Sequence, residues 1–285
     1  MEQKLYIRVL KYILVLVIVL AFFFPIYWTI TMAFKPHMEW TSAAGKIFWV
    51  PNKPTFTNFT SLFQRKISIA SPLASTAVRP IVNSIVVSII STALAVVVGT
   101  MAGYAISRYR AGGNIAFMLL TLRMFPPAAV IVPLMVLWAY LGFVDTAHGL
   151  FILYGLVTLP FAVILMKTFF DEIPKELDEA AVMDGYSNWG AFVKYVLPLA
   201  KGAISTTALF CFILNWSDFI LALILTDKDW STIPVYLDKL QSGYVGKLYG
   251  PKAALALIAA IPPVVFGVLI QKYLVRGLTF GAIKK

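Results

Sequence analysis

Apolar runs at residues 10–34, 81–107, 115–143, 149–170, 202–225 and 253–274 restrict this chain to folds that satisfy their backbone polar groups without water. Each run nears or exceeds the roughly 20 residues that carry a helix across a bilayer. Composition points the same way: 60% of residues are hydrophobic and 13% charged, against about 25% charged in a soluble domain. The mean hydropathy is +0.84. The expectation is an all-α membrane protein with six transmembrane helices and both termini on one side of the bilayer. The first run is longer than the apolar part of a signal peptide and lacks a small-residue cleavage site, although Lys4, Arg8 and Lys11 surround its start. It is expected to stay as a signal anchor.

The net charge of +11 fits anionic lipid headgroups and topology in such a chain, with no nucleic acid as partner. Cys211 is the single cysteine and falls inside the fifth run, so no intrachain disulfide can form. Basic residues near span ends mark the cytoplasmic side. Arg108 and Arg110 follow the second run closely, whereas the link 142–148 has no Lys or Arg, so both termini are expected in the cytoplasm. This divides the chain into a tail and first span (1–34), an extracytoplasmic interfacial segment (35–79), a core transmembrane domain (80–275) and a cytoplasmic tail (276–285). The interfacial segment is rich in Pro and in rings such as Trp40, Trp49 and Phe56, a composition suited to the membrane–water boundary.

Residues 171–201 are the polar exception among the apolar runs. Six of the thirteen acidic residues lie there: Asp171, Glu172, Glu176, Asp178, Glu179 and Asp184. Pro174 suits the first turn of a helix, and acidic residues suit the positive end of its dipole. The helix is expected over 175–184, ending at Gly185, which can take the left-handed conformation. Ser187 then caps a second short helix through residue 195, and Pro198 closes the unit. Two short helices meeting at a glycine make an elbow. Ala180 and Ala181 are small enough for another surface to approach, and Glu179 beside them offers a carboxylate to a basic partner.

The order Glu179-Ala180-Ala181, then Asp184-Gly185, then Val196-Leu197-Pro198 resembles the EAA loop of permease subunits of binding-protein-dependent ABC importers. Asn83-Ser84, Gly103-Tyr104-Ala105 with Arg108, Trp216-Ser217-Asp218-Phe219 and the tail from Leu274 to Lys284 resemble the carbohydrate-uptake group of that family. Phe280 departs from it, since a small residue is commoner there. The resemblance implies a type I importer permease fold in a bacterial or archaeal plasma (inner) membrane, carrying a sugar, polyol or related carbohydrate. It implies an elbow seated in a cleft of a cytoplasmic ATPase, with Glu179 meeting a basic residue, Ala180 and Ala181 in close contact and Gly185 setting the turn. Asp184, Leu197 and Pro198 complete the coupling pattern, and Gly281, Ala282 and Ile283 would reach toward the ATPase dimer. The implied partners are a second, homologous permease chain in a heterodimer, two ATPase subunits, an extracytoplasmic solute-binding protein and the lipid bilayer.

Neither Gly45-Lys46 nor Gly246-Lys247 sits in a P-loop. No cofactor is expected on this chain, and ATP with Mg belongs to the partner ATPase. Among residues inside the runs, Arg123 and Asp218 are charged, and a charge at bilayer depth faces protein or a water-filled cavity. Both are candidates for the solute path, with pairing inside the protein as the alternative. Asn83 and Ser84 are further pathway candidates. Ser84, Ser88, Ser91 and Thr92 form a stripe, and Gly99 and Gly103 a G-x-x-x-G spacing, both suited to helix packing. Pro126, Pro127 and Pro133 interrupt the third run and place it near the path. On the outer side, Trp230, Tyr236 and Tyr244 are candidates for touching the binding protein, with interfacial anchoring as the alternative. A secondary transporter needs no such elbow. A membrane enzyme is disfavoured because His37 and His148 stand apart with no metal-binding or nucleophile–base spacing around them.

Overall fold

Apolar segments become helices whose ends are set by the polar residues flanking them. The computed structural model describes residues 5–40, 47–64, 76–109, 127–240 and 248–280, with 115, 118, 119 and 121 between. Among these every regular element is helical, and they fall into two compact units. One is drawn from 1–78 and 236–260, the other from 79–235 and 261–285.

The first unit opens with α1 (Leu5–Phe34), about 45 Å long at 1.5 Å per residue. Residues 6–27 are exposed on every side, and a helix apolar all round belongs in lipid. After α2 (His37–Trp40) and α3 (Thr57–Phe63), the buried Asn58 amide donates to the Ala33 and Lys35 carbonyls, both at 2.8 Å. It thereby satisfies acceptors that the end of α1 leaves open. Phe34 packs on Phe56 and Phe59, with centroids 5.3 and 5.2 Å apart. The Lys35 ammonium lies 4.2 Å from the Trp28 ring.

The second unit is built around α4 (Val78–Tyr109), α5 (Pro127–Tyr140) and α6 (Ala147–Glu172). Gly99 and Gly103 let α4 lie against α6: a Cβ at Gly99 would stand 2.6 Å from Ala162 Cβ, and one at Gly103 2.8 Å from the Lys167 nitrogen. Ser84, Ser88, Ser91 and Thr92 are buried along α4. Ser91 donates to the Val87 carbonyl at 2.6 Å, so its hydroxyl costs little inside the bundle. The chain continues through α7 (Glu176–Met183), α8 (Asn188–Ala191), a π turn (Phe192–Val196) and α9 (Leu197–Leu199). Then come α10 (Lys201–Trp216), α11 (Ile220–Leu225), α12 (Ile233–Lys239) and α13 (Tyr249–Phe280), the parts of the last two within 236–260 belonging to the first unit. The Asn215 amide ties α10 to the Thr92 hydroxyl of α4 at 3.2 Å. Cys211 is buried beside Ala95, Val96 and Ala162.

Among the described residues four helices are long and apolar enough to cross a membrane: Tyr6–Phe34, Val78–Tyr109, Ala147–Glu172 and Tyr249–Gln271. Asn188–Leu199 with Lys201–Trp216, bent by 75°, forms a fifth if taken together, and Ala129–Tyr140 is a shorter apolar helix. Six spans remain consistent with these helices, since the third run lies partly outside the described residues, Pro126 included. The fifth run is split: α10 ends at Trp216 and α11 begins at Ile220, with the Asp218 carboxylate between them accepting from the Leu221 and Ala222 amides at 3.1 and 3.4 Å.

Candidate coupling elbow and solute path

The first limb of the elbow, α7, carries Glu176, Asp178 and Glu179 in its first turn, where carboxylates complement the helix dipole. Its end is closed by two hydrogen bonds, Gly185 N to Val182 O at 3.0 Å and Tyr186 N to Ala181 O at 3.1 Å. That pairing is a Schellman motif and requires the left-handed conformation at the residue beyond the cap. Gly185 supplies it with φ +89°. Ser187 accepts from the Gly190 amide at 3.1 Å and so caps α8. The chain turns again around Ala200, where the second limb meets α10.

Glu179, Ala180, Asp184, Gly185 and Pro198 are exposed and Leu197 is half-buried. Ala181 departs from expectation: only 3% of it is exposed, because it lies on the inner face of the elbow, toward the second limb. Ala180 alone of the pair is open to close approach. Met183, 88% exposed, follows Ala180 by three positions and Glu179 by four, and such residues share a helix face. Leu177, Val182 and Trp189 are exposed nearby. Open apolar side chains on a polar loop make this stretch a candidate binding surface. The sequence signal for Met183 was its helical spacing from Glu179.

The elbow is pinned to the spans by residues named at first only within motifs. Arg108, at the end of α4, pairs with Asp178 through Nε and Oδ2 at 2.8 Å, with side chains 5% and 15% exposed. This contact is an ion pair whose angle does not make a hydrogen bond. The two Nη atoms do make them, to Phe170 O at 2.9 Å and Ile173 O at 3.1 Å. The Tyr104 hydroxyl donates to Asp178 Oδ1 and the Ser107 hydroxyl to Asp171 Oδ1, each at 2.6 Å. The Tyr104 ring lies 4.4 Å from Phe192 and 5.5 Å from Phe170, within a buried cluster that includes Met166, Val196 and Ala203. On the open side of the elbow, the Lys194 ammonium donates to the Tyr186 hydroxyl and draws that phenol below its ordinary pKa.

At the opposite end of α4 the pathway candidates have other work. Asn83 and Ser84 are buried, 4% and 2% exposed. The Asn83 amide donates to Asp229 O at 2.9 Å and Ser231 O at 3.0 Å, and Ser84 Oγ accepts from Ile233 N at 2.8 Å. Both therefore staple the segment 229–233 instead of lining a path. Asp145, itself at φ 53°, holds the same segment by accepting from the amides of Lys228, Asp229 and Trp230 at 3.1, 3.0 and 2.8 Å. Burial pushes the Asp145 carboxyl up, but these amides and that of Asp227 outweigh it and hold it below the usual carboxylate range. Trp230 is half-buried against the core. Tyr236 is 3% exposed, so it packs inside the chain instead of offering a docking face.

Asp218 is half-buried at the break between α10 and α11. The buried Tyr154 phenol lies within electrostatic reach of its carboxylate without completing a hydrogen bond of good geometry. Arg123, Tyr244, Gly281, Ala282 and Ile283 lie outside the described residues. A groove lined by Ile89, Val96, Phe212, Val265 and Phe266 is apolar and offers a sugar little to hydrogen-bond. Among the described residues no three His, Cys, Asp or Glu gather as a metal site.

Residues 95–280 match the family described as binding-protein-dependent transport system inner membrane component. The chain is 36% identical over 264 residues to the trehalose transport system permease protein SugB of Mycobacterium tuberculosis, covering 91% of this chain and 92% of that one. It is 33% identical over 288 residues to the galactooligosaccharides transport system permease protein GanQ of Bacillus subtilis, covering 100% and 98%. Over 295 residues it is 30% identical to the trehalose/maltose transport system permease protein MalG of Thermococcus litoralis, covering 100% and 99%. In fold it resembles a chain in the crystal structure of a bacterial ABC transporter involved in the import of the acidic polysaccharide alginate. There the TM-score is 0.78 at 22% identity, over 96% of this chain and 99% of that one.

Proposed function

The chain belongs to the family of inner membrane components of binding-protein-dependent transport systems, and from this we propose that its elbow couples solute passage to a separate ATPase. It is a permease subunit of a carbohydrate ABC importer, a multi-pass membrane protein of the transport machinery and not an enzyme. With a second permease chain it forms half of the path for a sugar, polyol or related carbohydrate. Two cytoplasmic ATPase subunits hold ATP and Mg, and an extracytoplasmic binding protein delivers the solute. Both termini face the cytoplasm.

The observation that carries this reading is the elbow itself. Its two limbs are locked by the Gly185 turn and the Ser187 cap, and Glu179, Ala180 and Met183 stand open on one face. An open carboxylate beside an alanine and a methionine suits a cleft with a basic residue and an apolar floor. ATP binding favours a closed ATPase dimer, and a rigid elbow passes that preference to the spans.

The test is uptake of radiolabelled disaccharides and polyols by proteoliposomes holding this chain, its partner permease and the ATPase, with ATP inside and the binding protein outside. Uptake should require the ATPase chain. Glu179→Ala should lower uptake about tenfold, equivalent to about 1.4 kcal/mol of lost coupling. Undiminished uptake without the ATPase chain would sink the proposal.

A further inference from the structure

We propose that Arg108 is a positioning residue that fastens the first limb of the elbow to the cytoplasmic ends of α4 and α6, so that these three elements move as one body during transport. The inference rests on the coupling reading above and adds the route by which motion leaves the elbow.

The guanidinium sits where three elements meet. It rises from the last turn of α4, pairs with Asp178 in the first turn of α7, and donates to the carbonyls of Phe170 and Ile173 at the end of α6. Those carbonyls belong to the terminal group that a helix leaves without internal partners, and a cation there also complements the dipole. A flat, forked guanidinium can serve two carbonyls and a carboxylate together, which an ammonium of similar reach does less well. Tyr104 adds a bond to the other Asp178 oxygen, so both carboxylate oxygens of Asp178 are engaged by α4. Its ring meanwhile packs on Phe192 of the second limb.

Exposed ion pairs contribute little, but this one is almost closed to water. Removing one partner of such a pair leaves the other charge uncompensated. The node therefore resists separation of elbow from spans. A push on the exposed face of α7 reaches α4 and α6 without being lost in the joint.

The experiment measures solute transported per ATP hydrolysed in the reconstituted full transporter. Asp178→Asn keeps an acceptor for Tyr104 but removes the charge. It should leave the ATPase co-purifying while the transport-to-ATP ratio falls at least tenfold, and Asp178→Glu should recover part of the ratio. In the Arg108→Cys/Asp178→Cys double variant the ratio should be low and should rise when a bismaleimide bridges the two cysteines. Cys211 is buried and stays in place. A wild-type ratio in Asp178→Asn, or a bridge that stops transport, overturns the rigid-body proposal while the ATPase still binds. If the ATPase does not bind the wild-type chain at all, the coupling reading fails and this inference with it.

Discussion

Replacing both Gly99 and Gly103 with leucine will leave almost no assembled permease. Cβ atoms at these positions would stand 2.6 Å from Ala162 Cβ and 2.8 Å from the Lys167 backbone nitrogen. Neither neighbour is the end of a flexible side chain, so the helices themselves must part. Small residues at such crossings let two backbones approach where lipid offers no hydrophobic drive. Separation also breaks what depends on it, from the Ser107 bond to Asp171 to the cluster around Tyr104 and Met166. Gly103→Ala alone should cost about 3 kcal/mol, the upper end of ordinary overpacking. Thermal denaturation in detergent, followed by size-exclusion chromatography, measures both variants. A Gly103→Ala chain melting at the wild-type temperature would mean that α4 and α6 do not touch there.

Gly185→Val should nearly abolish uptake while the chain still inserts and accumulates. No atom lies within 4 Å of the site for a Cβ, so space is not the obstacle; the obstacle is φ +89°. A β-branched residue pays about 1–3 kcal/mol in that conformation. It escapes by opening the Schellman turn, which frees the carbonyls of Ala181 and Val182 and lets the limbs swing apart. Asn tolerates the left-handed region better than other side chains, so Gly185→Asn should keep a substantial part of the activity. Uptake rates normalised to chain in the membrane decide the matter. Equal rates for the Val and Asn variants would remove backbone conformation as the cause.

Bilayer length made the spans legible. A run at 81–107 became a helix at Val78–Tyr109, and one at 149–170 became Ala147–Glu172, because an apolar segment that long in lipid has few choices. The elbow was legible for a different reason. Gly185, Ser187 and the acidic first turn are local signals, and a helix expected over 175–184 formed at Glu176–Met183. The break in the fifth run is hidden by its continuous hydropathy, and Asp218 is its one acidic mark, a carboxylate that accepts first-turn amides of the next helix.

What remained illegible depends on residues far apart in the chain. No spacing reveals that Arg108 meets Asp178, or that the Asn83 amide holds the carbonyls of Asp229 and Ser231. The inward turn of Ala181 was hidden because adjacent alanines look alike until a second limb covers one of them. Tyr236 resembled an interfacial ring and is instead part of the interior.

The most direct measurement places a photoreactive benzoylphenylalanine at Met183 or at Tyr140, which are 88% and 87% exposed, and irradiates the assembled transporter. Docking of the elbow on a cytoplasmic ATPase predicts an adduct with the ATPase chain from position 183 and none from position 140, at the C-terminal end of α5, which the proposed orientation places outside the cell. An ATPase adduct from 140, or none from 183 in a complex that still transports, would contradict it.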